Sequence, residues 1–78
     1  MKITITMTWP CKNRSYNIQV PHVQKIADTL QVLKDNMPIF ADIPRISYVK
    51  DAETGRKISI QNTYEEAHLY SGTELLIP

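Results

Sequence analysis

The sequence predicts a two-layer α+β domain, one helix lying across one face of a single mixed sheet, in the order β-β-α-β-β-β. Three observations lead there. Residues 22–36, HVQKIADTLQVLKDN, carry apolar side chains at helical spacing. Two segments before them alternate apolar and polar residues with period two. Three shorter apolar segments follow, separated by polar or glycine-bearing turns. A lone helix of this length needs a partner surface, and a sheet with one apolar face supplies it.

Residues 2–8, KITITMT, set Ile3, Ile5 and Met7 against Thr4, Thr6 and Thr8, the pattern of a half-buried strand. Trp9, Pro10, Cys11, Lys12 and Asn13 break the alternation and read as a turn. Residues 15–20 alternate again, with Tyr16, Ile18 and Val20 on one side, which makes the two segments a hairpin. Pro21 ends the second strand.

In the helix, Val23, Ile26, Ala27, Leu30 and Leu33 fall in one stripe, and Met37 extends it. Burying five such side chains is worth on the order of 10 kcal/mol gross. Val32 lies opposite the stripe and is expected in solvent. Asn36 is suited to a left-handed position just past the helix, with Pro38 beyond it. The start is poorly marked, because no Ser, Thr, Asp or Asn precedes the stripe.

Residues 38–44, PIFADIP, are too apolar for a free loop, so Ile39, Phe40 and Ile43 are expected to close the open end of the core. Residues 45–50 form the third strand. Residues 51–56 form a turn in which Gly55 supplies a positive φ, and residues 57–60 form a short fourth strand with Ile58 and Ile60 on one side. Residues 62–70 fit a helical turn and a crossing loop, anchored by Tyr64, Ala67 and Leu69. Gly72 permits a tight turn, and residues 73–77 form the last strand. The expected core holds Ile3, Ile5, Ile18, Val20, Ile26, Leu30, Ile46, Ile58, Leu69, Leu75 and Ile77. The outer sheet face carries Thr4, Thr6, Thr8, Asn17 and Gln19.

Composition narrows the function. Residues 1–78 are the right size for one domain with a small core. Nine basic against eight acidic residues leave a formal charge of +1, without the basic stripe that nucleic-acid binding needs. No apolar run is long enough to span a membrane or to act as a signal peptide. The single Cys11 rules out an internal disulfide and suits a reducing compartment, so a cytoplasmic location is expected.

The order and spacing resemble the ubiquitin-like β-grasp fold over the whole chain, including the late motif Leu69-x-x-Gly72-x-x-Leu75. Within that fold the chain resembles the YukD/EsaB family, small ubiquitin-like proteins of type VII secretion systems in Gram-positive bacteria. The features that carry this likeness are the length of the chain, the Val20-Pro21 strand end before an amphipathic helix, and an ending close after the last strand. Many members have Gly-Asp where this chain has Gly72-Thr73. The resemblance implies a non-enzymatic accessory component, cytoplasmic and recruited to the inner face of the membrane. Its protein partner would be a cytoplasmic domain of a membrane secretion component. The resemblance implies no catalytic residues and no cofactor.

Conjugated ubiquitins and sulfur carriers end in a flexible Gly-Gly tail, because only glycine is slim enough for the activating cleft. Here the glycines are Gly55 and Gly72, and the last residues are Leu76, Ile77 and Pro78. Covalent conjugation is therefore not expected.

The remaining chemistry is sparse. Cys11 sits beside Lys12 and near Arg14, where positive charge favours a thiolate, so a carrier or small enzyme acting through Cys11 is the alternative reading. A nucleophilic cysteine also needs a base, and no histidine adjoins it. His22 and His68 lack metal-ligand spacing. Glu65 and Glu66 are neighbours that point apart on a helical turn, so they form no acid-base pair. Tyr16 and Tyr64 have core parity.

Ubiquitin recognition uses an apolar patch on the outer sheet face, and this sequence puts Ser47 at the position of the patch isoleucine. Trp9, at the hairpin tip, is either folded back on the core or offered to a partner. Leu76 has outward parity between Leu75 and Ile77. Trp9, Ser47 and Leu76 are therefore the expected protein-binding residues, with Trp9 as anchor, tryptophan being enriched at interface hot spots.

Overall fold

The computed structural model describes residues 1–78. Strands β1 (Lys2–Trp9) and β2 (Arg14–Pro21) form an antiparallel hairpin, paired from Lys2↔Pro21 to Trp9↔Arg14. Pro10–Lys12 makes one 3-10 turn, and Asn13 takes the left-handed conformation at φ 54°, which asparagine tolerates better than most residues. Helix α1 (Ile26–Asn36) follows, then strands β3 (Tyr48–Asp51), β4 (Lys57–Ser59) and β5 (Glu74–Leu76). The sheet order is β2-β1-β5-β3-β4, with β1 and β5 parallel and the other pairs antiparallel. This is the expected α+β architecture, one helix on one mixed sheet.

Period-two burial along β1 is complete: Ile3, Ile5, Met7 and Trp9 are all buried. They meet Ile26, Leu30 and Leu33 of α1, Phe40 and Ile43 beyond it, and Val49, Ile58, Tyr64, Ala67, Leu69, Leu75 and Ile77 in one core cluster. Ile18 and Ile46, expected inside, are only partly buried at its rim. Tyr16 is 40% exposed despite its core parity, because β2 is the sheet edge. Ile39 is exposed as well.

The helix differs from expectation at both ends. It starts at Ile26, not at His22. The preceding residues form a turn closed by the Gln24 N–H on the Pro21 carbonyl at 3.0 Å, so Val23 is exposed rather than part of the stripe. No side chain caps this start. Instead, the N–H groups of Ile26 and Ala27 donate to the carbonyls of Asn62 and Ile60 at 3.0 and 2.8 Å. At the other end Asn36 stays helical, its side-chain amide donating to the Val32 carbonyl at 2.9 Å. Met37 leaves in an extended conformation, φ −115° and ψ 108°, as a residue before proline must.

Strands β3, β4 and β5 are each shorter than expected, and residues 62–70 form the expected turn and crossing loop, with the Ala67 N–H donating to the Thr63 carbonyl at 3.1 Å. Thr63 and Glu66 still exchange reciprocal bonds, Thr63 N–H to Glu66 Oε1 at 2.8 Å and Glu66 N–H to Thr63 Oγ1 at 3.0 Å. That is a capping box on an abbreviated turn. Gly55 and Gly72 have the positive φ their turns require, 75° and 95°.

One polar chain is buried against the helix. The Tyr64 hydroxyl donates to Thr29 Oγ1 at 2.8 Å, and Thr29 donates to Gln24 Oε1 at 3.3 Å. Burial pushes the Tyr64 phenol up to about 12, while the Thr29 bond pulls the other way.

Leu30→Ala should cost about 2–5 kcal/mol in a denaturant titration, from lost transfer energy and a cavity. Thr29→Val strands the buried Tyr64 hydroxyl and should cost about 1–3 kcal/mol, whereas Tyr64→Phe leaves Thr29 bonded to Gln24 and should cost about 1 kcal/mol. Equal losses in the two variants would contradict the bonding order. The Tyr64 phenol ionises at 10.0 when unfolded and near 12 when folded. Its contribution to stability is therefore complete below pH 10 and lost as pH rises towards 12. Tyr64→Phe should remove that part of the alkaline decline.

Candidate functional site

The outer sheet face is built by the residues that alternate with the core. On β1 these are Thr4, Thr6 and Thr8, and on β2 Ser15, Asn17 and Gln19. Their hydroxyls and amides are largely engaged with one another. Thr6 Oγ1 donates to Asn17 Oδ1 at 2.7 Å, Thr8 Oγ1 donates to Glu74 Oε2 at 2.7 Å, and Thr8 Oγ1 lies 3.3 Å from Ser15 Oγ. This half of the face is polar and already bonded.

The other half is different. Leu76 stands between Thr8 on β1 and Lys50 on β3 and is half-buried, with the outward parity expected of it. Across β3 and β4, Tyr48 lies opposite Ser59, and the Lys57 ammonium stands 4.9 Å from the Tyr48 ring centroid. A cation at that distance is attracted by the ring face. The apolar part of this face is therefore Leu76 with the half-buried Tyr48, edged by Lys50 and Lys57.

Two expected contact residues stand elsewhere. Trp9 is the last residue of β1, shares parity with Ile3, Ile5 and Met7, and is only 4% exposed. It is folded back on the core. Two cationic residues of the hairpin sit near it: the Lys12 ammonium lies 6.0 Å from its ring centroid, and Arg14 Nη1 donates to the Ile39 carbonyl at 2.9 Å. The turn starts one residue later than the proline and cysteine suggest, so the β1 alternation runs on through the tryptophan. Ser47 is exposed but precedes β3 and shares the parity of buried Val49, so the outward residue there is Tyr48. Ile46 and Val49 have opposite parity, and no single strand can bury both. The structure buries Val49 in the strand and leaves Ile46 outside it.

Cys11 is exposed at the hairpin tip. His22 Nε2 lies 3.2 Å from the Leu69 carbonyl and its Nδ1 3.8 Å from Glu65 Oε2, so it fastens the late loop to the helix entry. His68 is exposed and takes the left-handed conformation before Leu69. Nothing brings Cys11 and either histidine together, and no group of His, Cys, Asp and Glu has the arrangement of a metal site.

Among solved structures the chain is similar to a de novo protein designed on ubiquitin, with 19% identity and a TM-score of 0.70, covering 99% of this chain and 87% of that one. It is similar to the C-terminal ubiquitin-like domain of mouse tubulin-specific chaperone e, with 14% identity, TM-score 0.70 and coverage of 99% and 84%. It is also similar to the ubiquitin-like domain of the Mycobacterium tuberculosis type VII secretion system protein ECCD1, with 13% identity, TM-score 0.61 and coverage of 97% and 96%. No family pattern and no curated protein matches the sequence. The fold is thus ubiquitin-like. No helix is long and apolar enough to cross a membrane.

Trp9→Ala should lower stability by about 3–5 kcal/mol, as for other buried tryptophans. A melting temperature equal to that of the unmodified protein would show that the ring is not part of the core.

Proposed function

We propose that this chain is a non-enzymatic protein-interaction module, a cytoplasmic accessory component of a type VII-like secretion system. The observation that carries the interaction reading is the outer sheet face, where Leu76 and Tyr48, edged by Lys50 and Lys57, stand beside a polar half whose Thr6 and Thr8 bond to neighbours of their own face. An apolar centre with a polar surround is the anatomy of a small protein-binding patch. The type VII assignment is supported by the sequence likeness to YukD/EsaB and by the fold shared with the ECCD1 domain. The partner in this reading is a cytoplasmic domain of a membrane component of the secretion machine, joined without covalent conjugation.

In this reading Leu76 stays a contact residue, and Tyr48 takes the place of Trp9 and Ser47. Leu76→Glu should reduce capture of the partner in a pull-down from cytosol and membranes at least tenfold, which corresponds to about 1.4 kcal/mol. The half-buried position of Leu76 calls for a melting curve on the same variant. Full capture by a folded Leu76→Glu protein would remove the outer face from the proposal.

The alternative, a carrier or enzyme acting through Cys11, draws on the exposure of that thiol. Cys11→Ser should leave folding and partner capture unchanged. Loss of the biological activity in a folded Cys11→Ser protein would favour the alternative. Gene neighbourhood separates the readings too: genes for an FtsK-like ATPase and small helical secreted proteins favour the first, and genes for activating enzymes or sulfur transfer favour the second.

A further inference from the structure

On the helix side of the molecule, away from the outer face, a cleft of about 220 Å³ opens between α1 and residues 43–46. Its apolar lining comes from Leu30, Ile43, Ile46 and Ile60, and two cations, Lys34 and Arg45, also line it. Ile46 and Ile60 are only partly buried, so the apolar surface is open to an incoming group. We propose that this cleft docks an acidic segment of a partner protein, one that inserts an apolar side chain and sets carboxylates against Lys34 and Arg45.

Three features of the cleft select that occupant. The first is charge. No carboxylate lines the cleft, and neither Lys34 nor Arg45 makes an ion pair or a side-chain hydrogen bond. The helix acids Asp28 and Asp35 lie outside the lining, and Asp35 accepts from Gln31 Nε2 at 2.9 Å. The second is the main chain. The N–H and C=O groups of Arg45 and Ile46 have no hydrogen-bond partner within the chain, which leaves them to water or to another backbone. Unpaired main-chain groups beside an apolar slot are what a bound peptide uses. The third is size. Pockets for small molecules and cofactors run to about 300–1,000 Å³. This cleft is smaller, which suits one or two side chains of a peptide.

The site does not depend on the outer face, and each can fail alone. The test is an amide-resolved NMR titration of the whole chain with two synthetic peptides. One has two adjacent leucines flanked by glutamates, and the other has lysines in place of the glutamates. The acidic peptide should shift the amides of Leu30, Lys34, Arg45 and Ile46 saturably, and the lysine peptide should not. In a Lys34→Glu/Arg45→Glu variant the preference should reverse, with at least a tenfold loss of affinity for the acidic peptide. Both side chains are exposed and unpaired, so the variant should melt as the unmodified protein does. Equal responses to the two peptides, shifts confined to Thr8, Tyr48 and Leu76, or no shifts at all would overturn the proposal. So would cleft shifts produced by phosphatidylserine vesicles and not by the acidic peptide. Partner capture that is lost in Leu76→Glu but kept in the charge-reversed variant, with no peptide response, would leave the outer-face reading standing and remove the cleft.

Discussion

The rest of the structure depends on a main-chain clamp between residues 22–27 and residues 60–65. Ile26 and Ala27 donate to Asn62 and Ile60, Tyr64 and Glu65 donate back to Gln24 and His22, and Lys25 bridges Thr63. A helix start leaves four N–H groups without internal partners, and a buried start without partners is costly. Here the first of those groups are satisfied by a segment more than thirty positions along the chain. The helix therefore acquires its beginning only when the fold closes, and its entry is coupled to the late loop rather than to its own sequence.

That coupling explains the position of Tyr64. Its backbone belongs to the clamp, and its ring enters the core beside α1, where Thr29 receives the hydroxyl. Thr29 would be a poor helix interior residue on propensity alone. In this place it is the only polar group α1 buries, and its bonds leave no buried side-chain polar atom without a partner. The same loop then delivers Leu69 to the core and the chain to Gly72, whose N–H donates to the Thr4 carbonyl as β5 comes alongside β1. One clamp thus sets both the helix start and the approach of the central parallel pair.

What was legible in the sequence follows from whether a signal was local. The β1 alternation, the stripe at Ile26, Leu30 and Leu33, and the Gly55 and Gly72 turns are short-range patterns, and each appears where the residues place it. The helix start was not legible, because its caps are carbonyls of Ile60 and Asn62. The helical spacing in the sequence therefore continues back to Val23, which stands in a turn. Tyr16 has core parity, but parity cannot tell a central strand from an edge strand, and β2 is an edge. Trp9 is ambiguous in the sequence for the opposite reason. Pro10 and the residues after it read as a turn, while the alternation from Ile3 runs unbroken through Trp9, and a proline just after a strand end breaks no pairing inside it. At β3 the apolar residues Ile46 and Val49 pull the register in opposite senses. Only the pairing of Val49 with Ile58 decides it, and that decision turns Tyr48 outward.

The two layers consequently offer different surfaces for physical reasons that the fold itself imposes. On the outer face, close strand spacing lets short polar side chains reach across to one another, so Thr6, Thr8, Asn17 and Glu74 are satisfied without a partner. The pattern breaks at Leu76, where β5 meets β3, and at Tyr48, which lies opposite Ser59 of β4. On the helix side, α1 covers the sheet centre but ends at Asn36, and the chain must return from there to β3 through Pro38 and Pro44. Neither proline has an N–H to donate, and each restricts the residue before it, so this return cannot be zipped onto the helix by regular bonds. The unpaired main chain of Arg45 and Ile46 and the partly covered Ile46 and Ile60 are what that return leaves behind. A cleft at this corner is therefore a product of the connection, and the uncompensated Lys34 and Arg45 give it its sign.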